Sequence, residues 1–204
     1  MKKNGATLLL KSLLNQKIRK IFGVPGESFL SVLDAINEFE EISWVGARQE
    51  GGAAFMAAGY AQLTGKTGVC YVTRAPGATN ASIGIHTAFQ GSIPLVLFIG
   101  QVSSKVRGRE AFQELNYYEM YSGMAKWVTE ITDADRIPEV ISRAFNIANT
   151  GRPGPVIVSV PEDVISAPYD TIEPSSIVKF SEPSVSRINI NEITEKLITS
   201  KKPI

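Results

Sequence analysis

An α/β fold, a parallel sheet with helices on both faces, is what this sequence predicts, and three features carry the prediction. Strand-length apolar runs alternate with helix-period patterns from residue 5 to about residue 166. Such alternation lays parallel strands side by side, joined by right-handed helical crossovers. The run Pro94 to Ile99 is apolar throughout, as a strand covered on both faces must be. Glycine and proline pairs punctuate the segments and mark the turns between them.

Residues 5–17 carry Leu8, Leu9, Leu13 and Leu14 at helical spacing. Ile18 to Val24 then reads as a short strand closed by Pro25-Gly26. Ser28 is the expected cap of a helix running to about Asn37, with Phe29, Val32, Leu33 and Ile36 on one face. Ile42 to Val45 gives a strand and Gln49 opens a long helix. Gly65-Lys66 breaks that helix before a strand over Thr67 to Thr73. Pro76-Gly77 reads as a turn into a helix over about 78–90. After the Pro94 to Ile99 strand, residues 101–124 read as irregular, and long irregular stretches in compact domains are usually functional. Lys126 to Glu130 suits a short strand. Asp133 to Asn149 contains a helix, with Ile137, Val140, Ile141, Ala144 and Ile147 at helical spacing. Gly151 to Gly154 punctuates, and Pro155 to Val160 is the last apolar strand.

After Ala167 the character changes. Pro168, Pro174 and Pro183, with several serines, make residues 167–190 a polar, proline-rich linker. Asn191 to Thr199 reads as one further helix capped by Asn191. The expected organisation is therefore one domain over 1–166, the linker, and residues 191–204 as the truncated start of a second domain in a longer chain.

Composition narrows the class of partner. With 20% charged residues and a formal net charge of +1, nothing draws the chain to nucleic acid or to an acidic surface. The one cysteine, Cys70, lies inside an apolar run, so no disulfide can form within the chain, which fits a reducing compartment. Lys11 interrupts the leading leucines too early for a signal-peptide core. No stretch approaches the roughly 18 apolar residues of a membrane span. A cytoplasmic protein without a membrane partner is expected.

The chain is organised around Trp44 to Leu63, WVGARQEGGAAFMAAGYAQL. Its helix is built largely of glycine and alanine. Two adjacent glycines weaken a helix by about 1 kcal/mol each relative to alanine, so close approach of a neighbouring backbone or ligand is expected there. Glu50 stands at the head of this helix, and two readings are open. It can be a first-turn acid that complements the helix dipole. It can also be a carboxyl desolvated between packed elements, its pKa raised until it donates a proton near neutrality. Parallel sheets bind ligands outside the carboxyl ends of their strands. Four turns follow those ends, at Pro25-Gly26-Glu27, Ala47 to Glu50, Arg74 to Gly77 and Gly100-Gln101, so one rim should gather them.

Six segments in order carry a resemblance: FGVPGES at 22–28, RQEGGAAFMAAGYA at 48–61, TRAPGATN at 73–80, GQV…EAFQE at 100–114, GRPGPV at 151–156 and VPED at 160–163. Together they resemble the amino-terminal, pyrimidine-binding domain of thiamine-diphosphate enzymes, the acetolactate synthase branch in particular, over about residues 4–166. The resemblance implies a thiamine-diphosphate-dependent lyase or transferase that joins a decarboxylated 2-oxo acid such as pyruvate to a second carbonyl compound. It implies a homodimer or homotetramer, with the Glu50 helix near the contact. Glu50 is similar to the family glutamate that hydrogen-bonds the cofactor's aminopyrimidine nitrogen, which decides the two readings in favour of catalysis.

Gln113 matches a glutamine that the family places near the cofactor and reaction intermediate, which implies a catalytic role beside Glu50, and Ser92 matches a cofactor-side serine. Their ordinary readings are a polar loop residue and a helix-terminating one. Pro25, Gly26, Pro76 and Gly77 would shape the cofactor rim, or serve as turn residues only. Arg152 matches an arginine that binds FAD in acetolactate synthases, against the commoner solvated loop arginine. His86 reads as structural. The family's magnesium and diphosphate motif, GDG to paired asparagines, does not occur here. Mg2+ would therefore be held by a missing carboxyl-terminal domain, and the chain alone is expected to have no turnover.

Some residues depart from the pattern. Glu27 stands where that branch carries a small residue and where pyruvate-type decarboxylases place a working aspartate. Glu162 replaces a lysine, and Arg107, Arg109 and Glu110 make the 101–114 loop unusually charged. A 2-oxo-acid decarboxylase is therefore the alternative, and a non-catalytic assembly module is a third reading.

Overall fold

A computed structural model describes residues 3–169, 172–174, 176–180 and 184–202. Pro183 of the linker, the first two residues and the last two lie outside them. The elements in chain order are α1 (Gly5–Asn15), β1 (Lys20–Gly23), α2 (Leu30–Ala35), β2 (Ser43–Gly46), α3 (Glu50–Thr64), β3 (Gly68–Val72) and α4 (Ala75–Gln90). There follow β4 (Leu95–Gln101), α5 (Tyr117–Tyr121), β5 (Trp127–Glu130), α6 (Ile137–Asn149), β6 (Pro155–Pro161), α7 (Glu162–Ser166) and α8 (Arg187–Thr199).

All strand pairs are parallel, in the order β2-β1-β3-β4-β6-β5. The α/β prediction therefore holds. Alternation along each strand divides the core in two. Val69, Tyr71, Val96, Phe98, Val156 and Val158 face a layer containing α1, α2, α6 and α7. Cys70, Val72, Leu95, Leu97, Ile99 and Ile157 face α3, α4 and α5. Every residue of β4 is buried, as its unbroken apolar run requires.

Local chemistry explains where several boundaries depart from expectation. Ser28 does not cap a helix. It lies in a 3-10 turn over Glu27–Phe29, and its buried hydroxyl pairs with that of Thr73 at 3.0 Å. Pro76 and Gly77 are not a turn before α4 but part of its first turn. Proline is tolerated there because the N–H it lacks would have no intrahelical partner anyway. The 101–124 stretch contains a 3-10 turn at Ser104–Val106 and α5, which Asn116 caps through the amides of Tyr118 and Glu119.

At the far end, α8 starts at Arg187 rather than Asn191. Ser186 caps it by accepting from the Asn189 amide, which leaves Asn191 inside the helix. No described residue of α8 is buried. The front of the linker, by contrast, is no free spacer. Tyr169 is buried, Ile172 and Val178 pack on the core, and the Gln16 side chain donates to the Ser176 carbonyl at 3.0 Å and accepts from the Val178 amide at 3.1 Å.

Candidate active site

The carboxyl ends of β1, β2, β3 and β4 lie on one rim because the strands run parallel. The turns that follow them interlock. A Cβ on Gly26 would meet the Thr73 side chain at 2.5 Å, and one on Gly100 would meet Ser28 Oγ at 1.9 Å. Both positions need glycine for the close approach of neighbouring loops. The expected gathering of Pro25, Gly26, Glu50, Pro76 and Gly77 at one rim is therefore found.

Glu50 is the first residue of α3. Gln49 caps the helix, its side-chain oxygen accepting from the Gly52 amide at 2.9 Å. The Glu50 carboxylate turns toward the head of α4. Asn80 donates from Nδ2 to Glu50 Oε2 at 2.9 Å. Gly77 lies on the other side, where an added Cβ would sit 3.3 Å from Oε1. The carboxylate is also close to β3: burial foremost, and then the negative charge of Glu50, push the Cys70 thiol far above its ordinary pKa. Glu50 itself is only half-buried in the single chain, so the dry surroundings expected for it are not built by this chain alone.

The small residues after Glu50 serve two purposes. Gly51, Ala53, Ala54, Ala57, Ala58 and Ala61 are buried inside the domain. A Cβ on Gly51 would come within 3.0 Å of the Asn80 carbonyl, and one on Gly84 within 2.5 Å of Ala54 Cβ, so α3 and α4 touch backbone to backbone. Gly52 and Gly59 differ. A Cβ at either would meet nothing within 4 Å. Around them Phe55, Met56 and Leu63 of α3 and Ile83 of α4 are exposed, Leu63 at 89%.

Gln113 reaches the same rim from the loop after β4. It has a left-handed φ of 64° and its carbonyl accepts from the Ala75 amide at 3.3 Å. Ser92 and Arg152 are elsewhere. They precede β4 and β6, at the amino ends of the strands, and the structure does not bring them to Glu50. Arg152 donates from Nε to Ser92 Oγ at 2.7 Å and from Nη2 to the Gln90 carbonyl at 3.0 Å. That is the pattern of a cation closing a helix carboxyl terminus. Its Nη2 is committed to the end of α4 and its Nε to Ser92 just beyond, so the FAD reading of Arg152 rests on the resemblance alone. His86 stands exposed on α4.

Two features went unread in the sequence. Asn80, one turn beyond Pro76 on α4, is the direct partner of Glu50. Its helical spacing from Pro76 was the available signal. Arg74 is buried and forms an ion pair with Glu162, and no local pattern links these distant residues. Glu27 is exposed and lines a cavity of about 180 Å3 together with Glu162, Ser28 and Ser31. Among the described residues no trio of His, Cys, Asp or Glu could hold a metal ion, and no helix is long and apolar enough to cross a membrane.

A parallel sheet with a carboxylate at its carboxyl rim, clasped by the head of a second helix, is an α/β domain with a polar group where open sheets bind ligands, outside the strand ends. Residues 3–120 match the family described as thiamine pyrophosphate enzyme, N-terminal TPP binding domain, and the chain belongs to that family. It is 38% identical over 206 residues to the acetolactate synthase large subunit of Buchnera aphidicola subsp. Schizaphis graminum, covering 98% of this chain and 36% of that protein. To the acetolactate synthase large subunit of Haemophilus influenzae it is 38% identical over 211 residues, covering 100% and 37%. To the mitochondrial acetolactate synthase catalytic subunit of Saccharomyces cerevisiae it is 35% identical over 210 residues, covering 98% and 31%. The chain thus spans about a third of the length of the curated relatives it matches.

Proposed function

We propose that this chain is the pyrimidine-binding part of a thiamine-diphosphate-dependent carboligase of the acetolactate synthase type, acting on a 2-oxo acid such as pyruvate. The observation that carries the reading is the clasp of Glu50 between Asn80 and Gly77 at the carboxyl rim of the sheet. Thiamine diphosphate, when bound, supplies a carbon nucleophile. The chain's own contribution is a carboxyl held in one orientation. Asn80 occupies Oε2, and the bare Cα of Gly77 leaves Oε1 room to share a proton with a ring nitrogen. The donor set, a carboxyl fixed at one oxygen by Asn80 and open at the other, fits the cofactor's aminopyrimidine. Mg2+ and the diphosphate belong, on this reading, to a part of the enzyme beyond this chain.

A second copy completes the site. Gly52 and Gly59 have open space where a side chain would fit, although glycine costs a helix about 1 kcal/mol relative to alanine. Their choice makes sense if another backbone approaches α3, and the exposed Phe55, Met56 and Leu63 around them supply apolar area for that contact. Burial at such a seam would also remove Glu50 from bulk water.

The test is Glu50→Gln in the complete enzyme. Carboligation of pyruvate should fall at least a hundredfold while the fold, by circular dichroism, is unchanged. Full activity in the variant would defeat the reading. The isolated chain should bind thiamine diphosphate weakly in calorimetry, with or without Mg2+, and tight magnesium-dependent binding would contradict the shared site. The cavity shared by Glu27 and Glu162 keeps the decarboxylase as the second reading. Product analysis decides it, because free aldehyde and a carboligation product are distinct.

A further inference from the structure

We propose that Arg74 is a positioning residue that locks the Gln113 loop against the head of α4 through its ion pair with Glu162. The inference rests on the reading of the carboxyl rim as the working site. Arg74 is 8% exposed and follows β3, while Glu162 opens α7 directly after β6. In the sheet β4 lies between β3 and β6, so the side chain spans the carboxyl end of β4. Its partner's neighbour, Asp163, accepts from the Ser104 amide at 2.9 Å and from the Ser104 hydroxyl. Ser104 begins the loop that carries Gln113. At the loop's other end the Gln113 carbonyl accepts from Ala75, the residue after Arg74. The contacts therefore close a ring from Arg74 through Glu162, Asp163, Ser104 and the loop to Gln113 and Ala75.

Within the ring Glu114 gathers the loop. Its carboxylate accepts from the Gly108 amide at 2.8 Å, from the Ala111 amide at 3.3 Å and from Arg107 at 3.2 Å. Arg107 also reaches Glu130 at 3.4 Å, and so fastens the loop to β5. Gln113 needs such support, because a left-handed backbone is unfavourable for a residue with a side chain and persists only where the surroundings impose it.

Stability does not account for Arg74. Its Nε is buried with no hydrogen-bond partner, an arrangement that costs folding energy. An ion pair buried only at its Arg74 end is also weak evidence of stabilisation, since exposed pairs contribute little and buried ones often do no better than apolar residues of the same volume. What the pair supplies is a single relative placement of three loops that local sequence does not determine.

Hydrogen exchange read by mass spectrometry tests this on the chain itself. Arg74→Gln should raise exchange about tenfold across residues 104–113 and at the first turn of α4, with α6 unchanged. Glu162→Gln, at a partly exposed position, should do the same if the first variant folds poorly. The swap of Arg74→Glu with Glu162→Arg should restore protection to within about twofold. In the complete enzyme Arg74→Gln should lower kcat about tenfold with little change in KM. Unchanged exchange in both single variants, exchange raised evenly through the domain, or an effect on KM alone would overturn the proposal. A Glu50→Gln enzyme that stays active while the exchange pattern appears would instead sink the cofactor reading and leave the ring standing.

Discussion

Asn80, in the second turn of α4, places its side-chain amide 2.9 Å from the Oε2 of Glu50 at the head of α3. Two helices that pack through glycine and alanine thereby hold one carboxylate between them. Asn80→Ala should leave the fold intact and free the carboxylate to rotate. A hydrogen bond to a charged group contributes about 1.5–3 kcal/mol, toward the low end at an accessible site. Turnover of the complete enzyme is expected to drop about tenfold, with KM for the 2-oxo acid nearly unchanged. Steady-state kinetics beside a thermal melt separates this from unfolding.

The α3–α4 seam should resist any added carbon. A Cβ on Gly84 would meet Ala54 Cβ at 2.5 Å and Ala54 backbone carbon at 3.1 Å, atoms that cannot rotate away. Overpacking of this kind costs about 1–3 kcal/mol, partly offset by about 1 kcal/mol of helix propensity. In the isolated chain Gly84→Ala should lower the urea midpoint, whereas Gly52→Ala, with open space around it, should raise it slightly. The pair of variants read by one denaturation series checks the geometry.

The open glycines also predict assembly. Gly59→Arg adds bulk and charge where nothing stands within 4 Å in the single chain, so the monomer should fold normally. Sedimentation velocity of the complete enzyme should show loss of the dimer, together with loss of activity that mixing with wild type does not restore. An unaltered sedimentation coefficient would place the contact elsewhere.

The rim loop should loosen in acid. The Gly108 amide foremost, against some opposition from burial, and then the Ala111 amide and Arg107 hold the Glu114 carboxyl below the usual range. For Asp163, burial pushes upward, but the hydroxyl and amide of Ser104 together with the amides of Asp163 and Val164 outweigh it and the net shift is down. Both folded values are depressed. Their contribution is therefore complete above the unfolded values, about 4.3 for Glu and 3.9 for Asp, and is lost as pH falls through the folded ones. Exchange of the Ser104, Gly108 and Ala111 amides, corrected for intrinsic rate, should stay flat down to about pH 5. It should rise below about pH 4, ahead of α6.

Arg152 should prove a helix cap. Arg152→Ala removes donors to Gln90 and Ser92 and is expected to lower stability by about 0.3–1 kcal/mol, the range for a cation at a helix carboxyl terminus. Exchange should rise at the carboxyl end of α4 and not at the Glu50 rim.

Apart from the short α5 and α7, the order of strands and helices, the doubly covered β4 and the rim of turns were legible in the sequence. Each depends on periodicity or on residues adjacent in the chain, which local physics determines. Glu50 was legible as a carboxylate heading a glycine- and alanine-rich helix, its catalytic reading being supplied by the resemblance and not by the pattern. Its partner Asn80 and the Arg74–Glu162 pair were not. They join residues 30 and 88 positions apart, and only the packing of α3 on α4 and the strand order β3-β4-β6 brings them together. Tertiary structure likewise moved Ser92 and Arg152 to the far rim, since strand direction, not motif order, decides which end a loop occupies.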